Sequence, residues 1–519
     1  MMQNTSTLLS ETALHNIVSM SSEALGGDPI TQAQFNLLAS GYKSISRNYH
    51  GEKHLKQMAF TTEEEIEKFG NDIGDRKAAR KLSKLINLGL WGHDAVYTQV
   101  DGGVSPEIAK VLEKYVTVNG SVYTLRENVD AKDKSVFDIA LKIFNLESGK
   151  TLLPAIKQAQ VNEFLSALVT MDVMKDLGHS PASIAIVAGI TEGTIPFRGK
   201  EDLDKPETGH FYKLAGRLAN ANRELNLGLS NVEIDQAIKA AVFAATKDVL
   251  GFAGNLASNR ADRLREYTKG TWELMPESDA LLRGEEIRPD QYRQKMAGNH
   301  YFPTIILADP KKEVFHEYKG YSGGVELATL RRFEQEVRAD NDLYLQAKTA
   351  SAALVEAIAN QIGAGNSTLT DIVKGAGKYL PDISKSRREE SLRLEARTAL
   401  EVLKFGRGDN PAFDITTSPV GAYIFETLGE EKVKQLFASV SKNIKPDAKN
   451  YKDFLVDAIG IMGRDFDTVA GAWASVANDR GYPMRAKLIS ALVDEIVPNR
   501  AQYQSAEPAI EQSVAVAKA

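Results

Sequence analysis

Leu82-Ser83-Lys84-Leu85-Ile86-Asn87-Leu88-Gly89-Leu90-Trp91-Gly92-His93-Asp94 sets its apolar residues three and four apart, the spacing that lays one stripe along a helix of 3.6 residues per turn. The pattern predicts a helix that buries its leucines and delivers a histidine and an aspartate at its end. The same spacing recurs at Phe164, Leu165, Leu168, Val169 and Met171 ahead of Asp172, and again from Asn231 to Phe252, where Asn231 is a plausible cap. Strand-like alternation is short and rare, as at Thr304 to Leu307 and Val314 to Tyr318. The expected fold class is therefore all-α.

The 519 residues carry 63 Lys+Arg against 69 Asp+Glu, a net charge of −6, and no cysteine. A chain without cysteine has no disulfide scaffold, zinc ribbon, iron-sulfur site or cysteine nucleophile. Without a basic excess, nucleic acid is not expected as the primary partner. No apolar run approaches the roughly 20 residues of a membrane span. Met1 to Ser10 lacks the basic flank and apolar stretch of a secretory signal, so a cytoplasmic location is expected. The length suggests more than one domain. Gly363-Ala364-Gly365-Asn366-Ser367 marks a break behind a helical pattern that starts near Leu327. The expected division is a helical domain over 1–345, a smaller helical domain over 346–500 and a flexible tail over 501–519.

Of eight histidines, three fall in two suggestive contexts. Tyr49-His50-Gly51-Glu52-Lys53-His54 places two histidines four apart, which on a helix would lie on one face and address a single point. His93-Asp94 follows 39 residues later. Neutral imidazole and carboxylate suit one divalent ion of the Fe, Mn, Zn, Ni or Mg kind.

At these residues the chain resembles the HD superfamily of metal-dependent phosphohydrolases, and most closely the branch that opens with Tyr-His-x-x-x-His and ends an apolar helix in His-Asp. That branch includes cyclic-nucleotide phosphodiesterases and predicted bacterial HD phosphohydrolases. The likeness spans roughly residues 40 to 200. It implies an HD-type helical bundle, with His54, His93 and Asp94 as metal ligands and His50 placed to protonate the leaving oxygen. It also implies a further aspartate, for which Asp172 is the candidate and Asp176 the alternative. Gly92 departs from the family, whose members often carry a large residue there. No histidine lies between 93 and 179 to hold a second metal, so one ion is expected. Arg47 and Lys53 are candidate phosphate-facing cations, and Phe197 could stack on a base.

The expected activity is hydrolysis of a small phosphate ester, such as a nucleotide, by metal-activated water. The alternative is a degenerate HD-fold binding or scaffold protein that acts through its C-terminal helices on a protein partner. Two further motifs are set aside. Gly320-Tyr321-Ser322-Gly323-Gly324 matches a nucleophile elbow, but no histidine follows His316 to act as its base. Gly375-Ala376-Gly377-Lys378-Tyr379 lacks the Ser or Thr of a phosphate-binding loop and reads as a helix end.

Overall fold

A computed structural model of the chain describes residues 36–37, 40–42, 47, 49–59, 62–101, 103–120, 122–152, 160–199, 205–254, 256–278, 288–301, 312–363, 375–383, 392–406, 418–445 and 448–496. These residues are mostly helical, and no helix among them is long and apolar enough to cross a membrane. The chain forms two compact units, the first comprising Met1–Leu256, Trp272–Arg283 and Leu307–Gln335, the second Ala257–Thr271, Gly284–Ile306 and Glu336–Ala519.

The second unit thus takes 257–271 and 284–306, which the sequence reading places in the first domain. The physical reason is long-range pairing that no local pattern reveals. Arg260 grips Asp340 through two 2.7 Å hydrogen bonds, and Arg293 donates to Glu356 over 2.5 Å, across 80 and 63 residues of chain. Apolar residues such as Leu400, Phe425, Leu436, Phe454 and Trp473 are buried in this unit. The expected tail over 501–519 lies outside the described residues.

In the first unit the helices are α1 (Glu52–Met58), α2 (Glu63–Ile73), α3 (Arg76–Gly92), α4 (Thr98–Asp101), α5 (Pro106–Leu112), α6 (Ala131–Phe144), α7 (Val161–Asp176), α8 (Pro181–Gly193), α9 (His210–Leu225) and α10 (Asn231–Val249). Their starts follow from capping chemistry. Thr62 with Glu65 and Ser230 with Glu233 form reciprocal capping boxes, and Asp75 and Ser180 accept main-chain N–H groups of α3 and α8. Ser230, not Asn231, is therefore the cap of α10. α8 is apolar on every side and buried from Ser183 onward, which makes it the central helix. It packs against α3, α6, α7 and α10.

A small antiparallel sheet interrupts this helical pattern: β1 (Val116–Asn119), β2 (Val122–Leu125) and β3 (Thr151–Leu152), with Asn119 opposite Val122. Gly120 has φ 61°, a left-handed conformation that glycine enters freely and that a two-residue hairpin uses. The Gly120-Ser121 dipeptide between the two strands was the sequence signal for it. Of the two expected strands, Val314 to Tyr318 is irregular apart from a bridge between Tyr318 and Tyr321, and Thr304 to Leu307 lies outside the described residues. The glycine-rich stretch at 320–324 is a loop in which Ser322 Oγ donates to the Val325 carbonyl, and Gly375 to Tyr379 is a helix end, with Gly375 and Ala376 helical and the next three residues in a turn. Trp272 is buried.

Candidate metal centre

Helix α1 begins at Glu52, so His50 sits in the turn before it and not on its face. That turn is closed by the Gly51 N–H, which donates to the Tyr49 carbonyl at 2.8 Å. The turn still brings the two imidazoles together: the His50 and His54 rings lie 5.6 Å apart and perpendicular, and Tyr49 covers His54 at 4.7 Å.

Helix α3 ends at Gly92, with His93 as its C-cap. A Cβ on Gly92 would stand 2.1 Å from Thr170 Oγ1 of α7, and one on Gly89 would stand 2.5 Å from Ile190 of α8. Real contacts do not approach so closely, so only glycine allows α3 to lie against its neighbours here. A large residue at position 92 is thus excluded by local packing. His93 Nδ1 lies 2.5 Å from the Leu90 carbonyl. A carbonyl only accepts, so Nδ1 carries the proton and Nε2 is free to face the centre, as in histidines that bind metal.

The chain after His93 is pinned from both sides. Arg47 is buried, donates to the Asp94 carbonyl at 2.5 Å and pairs bidentately with Asp101. From α7, Ser166 Oγ accepts the Val96 N–H at 2.9 Å, and Asn162 accepts from Thr98. Arg47 therefore holds the main chain of the His-Asp pair, and it is not poised as a phosphate-facing cation.

Three side chains from these segments converge. Ligand atoms of His54, His93 and Asp94 all lie within 4.8 Å of one another, and the group could hold a metal ion. A fourth side chain, Asp248 at the end of α10, places Oδ1 3.1 Å from His54 Nε2 and 3.3 Å from His93 Nε2. Asp94 Oδ2 is 3.0 Å from His93 Nε2 and 3.8 Å from His50 Nε2. That oxygen is buried against the His93 imidazole, and a cation placed there would offset its charge. His54, His93 and Asp94, with Asp248 beside both imidazoles, offer two imidazoles and two carboxylates, a donor set that suits a divalent ion.

The electrostatics mark this point as one that favours positive charge, which a proton on His93 Nε2 or a bound cation can supply. Burial disfavours charge on His93, but the carboxylates of Asp94 and Asp248 outweigh it and hold the imidazole well above its ordinary value. Burial also opposes ionisation of Asp94, yet His93 and His50 bring it far below the carboxylate range, and Asp248 falls to about 2 beside His93 and His54. These acids stay ionised wherever the protein is folded at ordinary pH.

Asp172 belongs elsewhere. It is buried on α7, where its carboxylate accepts from Lys114 at 2.6 Å, the Tyr115 hydroxyl at 2.7 Å and Lys175 at 2.9 Å. Lys175 also donates to Asp133 at 2.5 Å. The cluster is already neutralised by ammonium groups and leaves no reason for a metal. The alternative, Asp176, is exposed and 3.7 Å from Lys175. Both candidates for the last ligand thus have lysine partners of their own, and the aspartate that lies beside His54 and His93 is Asp248. Lys53 lies on α1, but its side chain is outside the described residues. Phe197 has φ 54° and sets its ring edge-on to Phe252 at 5.5 Å, in the 3-10 turn that follows Asp248.

Sequence reasoning missed Asp248 because it stopped at the first aspartate on an apolar helix. The signal was present, since Lys247-Asp248-Val249-Leu250-Gly251 closes α10 much as Lys175-Asp176-Leu177-Gly178 closes α7. It also missed Glu163, buried on α7, whose carboxyl burial pushes up to about 8 and which lies within electrostatic reach of Asp94, His93 and Arg198. The chain matches no protein-family model, no curated protein and no solved structure.

Proposed function

We propose that this chain is a metal-dependent phosphohydrolase of the HD type, acting on a small phosphate ester such as a nucleotide. The observation that carries this reading is the convergence of ligand atoms of His54, His93 and Asp94 within 4.8 Å of one another, with Asp248 Oδ1 beside both imidazoles, from three separate stretches of chain. Those four residues would hold the ion. A divalent cation bound there supplies a Lewis acid that lowers the pKa of water and offsets phosphoryl charge.

The chain's own groups have distinct tasks. His93 is oriented by Leu90 and Asp94 by Arg47, so neither must reorganise when substrate arrives. His50 is more exposed than His93, with 15% against 4% of its side-chain surface accessible. It stands one turn outside the donor set, where it can donate a proton to the departing ester oxygen. A purely structural metal gives no role to this outer imidazole. The packing explanation of Gly92 removes one argument for a degenerate scaffold.

His50→Ala tests the reading. With a panel of phosphate esters and several divalent metals, wild type should cleave at least one ester. The variant should keep its metal and thermal midpoint while turnover falls about a hundredfold or more. Full activity in the variant would remove His50 from the chemistry, and absence of hydrolysis by metal-loaded wild type would end the enzyme reading.

A further inference from the structure

The first unit holds a second buried charged cluster beside the centre. Glu192 Oε1 accepts from Arg217 at 2.5 Å and from Arg198 at 3.1 Å, and Oε2 lies 3.1 Å from His210 Nε2. Burial holds His210 below its ordinary value and so favours the neutral imidazole. Two guanidinium groups share the one carboxylate of Glu192 and outnumber it by one positive charge. A buried excess charge calls for an anion from outside the chain.

Arg198 is the side chain that can present that charge toward the centre. Its Nε donates to the Ile195 carbonyl at 3.2 Å, and Nη2 donates to the main chain and carboxylate of Glu192. These bonds use one edge of the fork and leave Nη1 uncommitted, while 21% of the side-chain surface is accessible. Its backbone is fixed as well. Phe197 is held in a left-handed conformation against Phe252, four residues after Asp248, and the Arg198 carbonyl accepts the Glu313 N–H at 3.0 Å. The contact of the Phe197 ring with Phe252 sets the residue before Arg198 against the 3-10 turn that follows Asp248. Arg217 is turned away, because its Nε is bound to the Ile143 carbonyl of α6.

We propose that Arg198 is the anion-binding side chain of this site and grips a phosphoryl oxygen through Nη1. The assignment rests on the phosphohydrolase reading for its substrate, and its test separates the two. Inorganic phosphate is titrated calorimetrically into the full chain, both loaded with Mn2+ and stripped with EDTA, for wild type, Arg198→Gln, Arg198→Lys and Arg217→Gln. Removing one charge-assisted contact should weaken phosphate binding by about tenfold to a hundredfold in Arg198→Gln. Arg198→Lys should retain part of the affinity, and Arg217→Gln, which disturbs the same buried acid, should stay near wild type with Mn2+ content unchanged throughout. Equal phosphate affinity in Arg198→Gln and wild type overturns the proposal, as does an equal loss in Arg217→Gln or no phosphate binding by wild type in either state. If wild type takes up no Mn2+, the metal reading fails, and the stripped samples alone decide Arg198: a selective loss supports it and no loss overturns it.

Discussion

Two buried aspartate sites occupy the first unit, and they differ in what neutralises them. Around Asp172, Lys114, Lys175 and Tyr115 donate to both carboxylate oxygens, so the acid is satisfied by the chain itself. Around Asp94 and Asp248 the neighbours are the imidazoles of His50, His54 and His93, and no ammonium group is paired with either acid among the described residues. An ammonium always brings its own positive charge and protons. An imidazole can be neutral and offer a lone pair instead. The partner's chemistry, and not the burial of the acid, separates a structural ion cluster from a centre able to receive a cation.

The comparison breaks most sharply on metal content. Asp248→Ala should lose stoichiometric Mn2+ or Zn2+ by elemental analysis, and turnover should fall by roughly a thousandfold or more if the ion is needed for chemistry. Asp172→Ala should keep both. Equal metal in wild type and Asp248→Ala would return the two sites to the same class.

Stability should show the opposite ranking. Removing Asp172 strands the Lys114 ammonium and the Tyr115 hydroxyl and leaves Lys175 to Asp133, at a cost of about 3 kcal/mol, measured by urea unfolding at neutral pH. Burial works against ionisation of Asp172, but hydrogen bonds from Lys114, Tyr115 and Lys175 win and hold it below the ordinary carboxylate value. A group depressed on folding contributes stability above its unfolded pKa and loses it as pH falls through the folded one. Wild type should therefore lose its advantage over Asp172→Asn below about pH 4. An unfolding difference that stays constant from pH 7 to pH 3 would contradict this.

The smallest effect concerns the helix that serves both sites. α7 carries Asp172 at its end and Thr170 against Gly92, so Gly92→Ala forces α3 away from α7 just before His93. Overpacking of this kind costs about 1–3 kcal/mol. Metal affinity should weaken in Gly92→Ala while the acid limb governed by Asp172 stays as in wild type, and an unchanged affinity would show that the His-Asp pair tolerates displacement of its helix.

Much of the architecture was legible along the chain. The Leu82 to Leu90 stripe, the apolar run before Asp172 and the end of α3 at His93 depend on local spacing, and spacing determines which face a helix buries. His54, His93 and Asp94 were readable because their motifs are compact. The hairpin at Gly120-Ser121 was written in four-residue strands too short for alternation to stand out, and the part of the second unit drawn from 257–306 depends on pairs such as Arg260 with Asp340.

Local pattern by itself determined the helices and three of the converging residues. Tertiary structure alone decided which aspartate joins them. Asp172 and Asp248 both sit on apolar helices with a lysine within three residues, Lys175 and Lys247, so the local sequence does not separate a carboxylate that lysines satisfy from one that faces histidines. Those partners arrive from Lys114 and Tyr115 on one side and from His54 and His93 on the other, 58 and 194 residues away for Lys114 and His54. Helical periodicity sets the direction of a side chain on its own element, whereas its electrostatic surroundings are set by elements that only packing brings together.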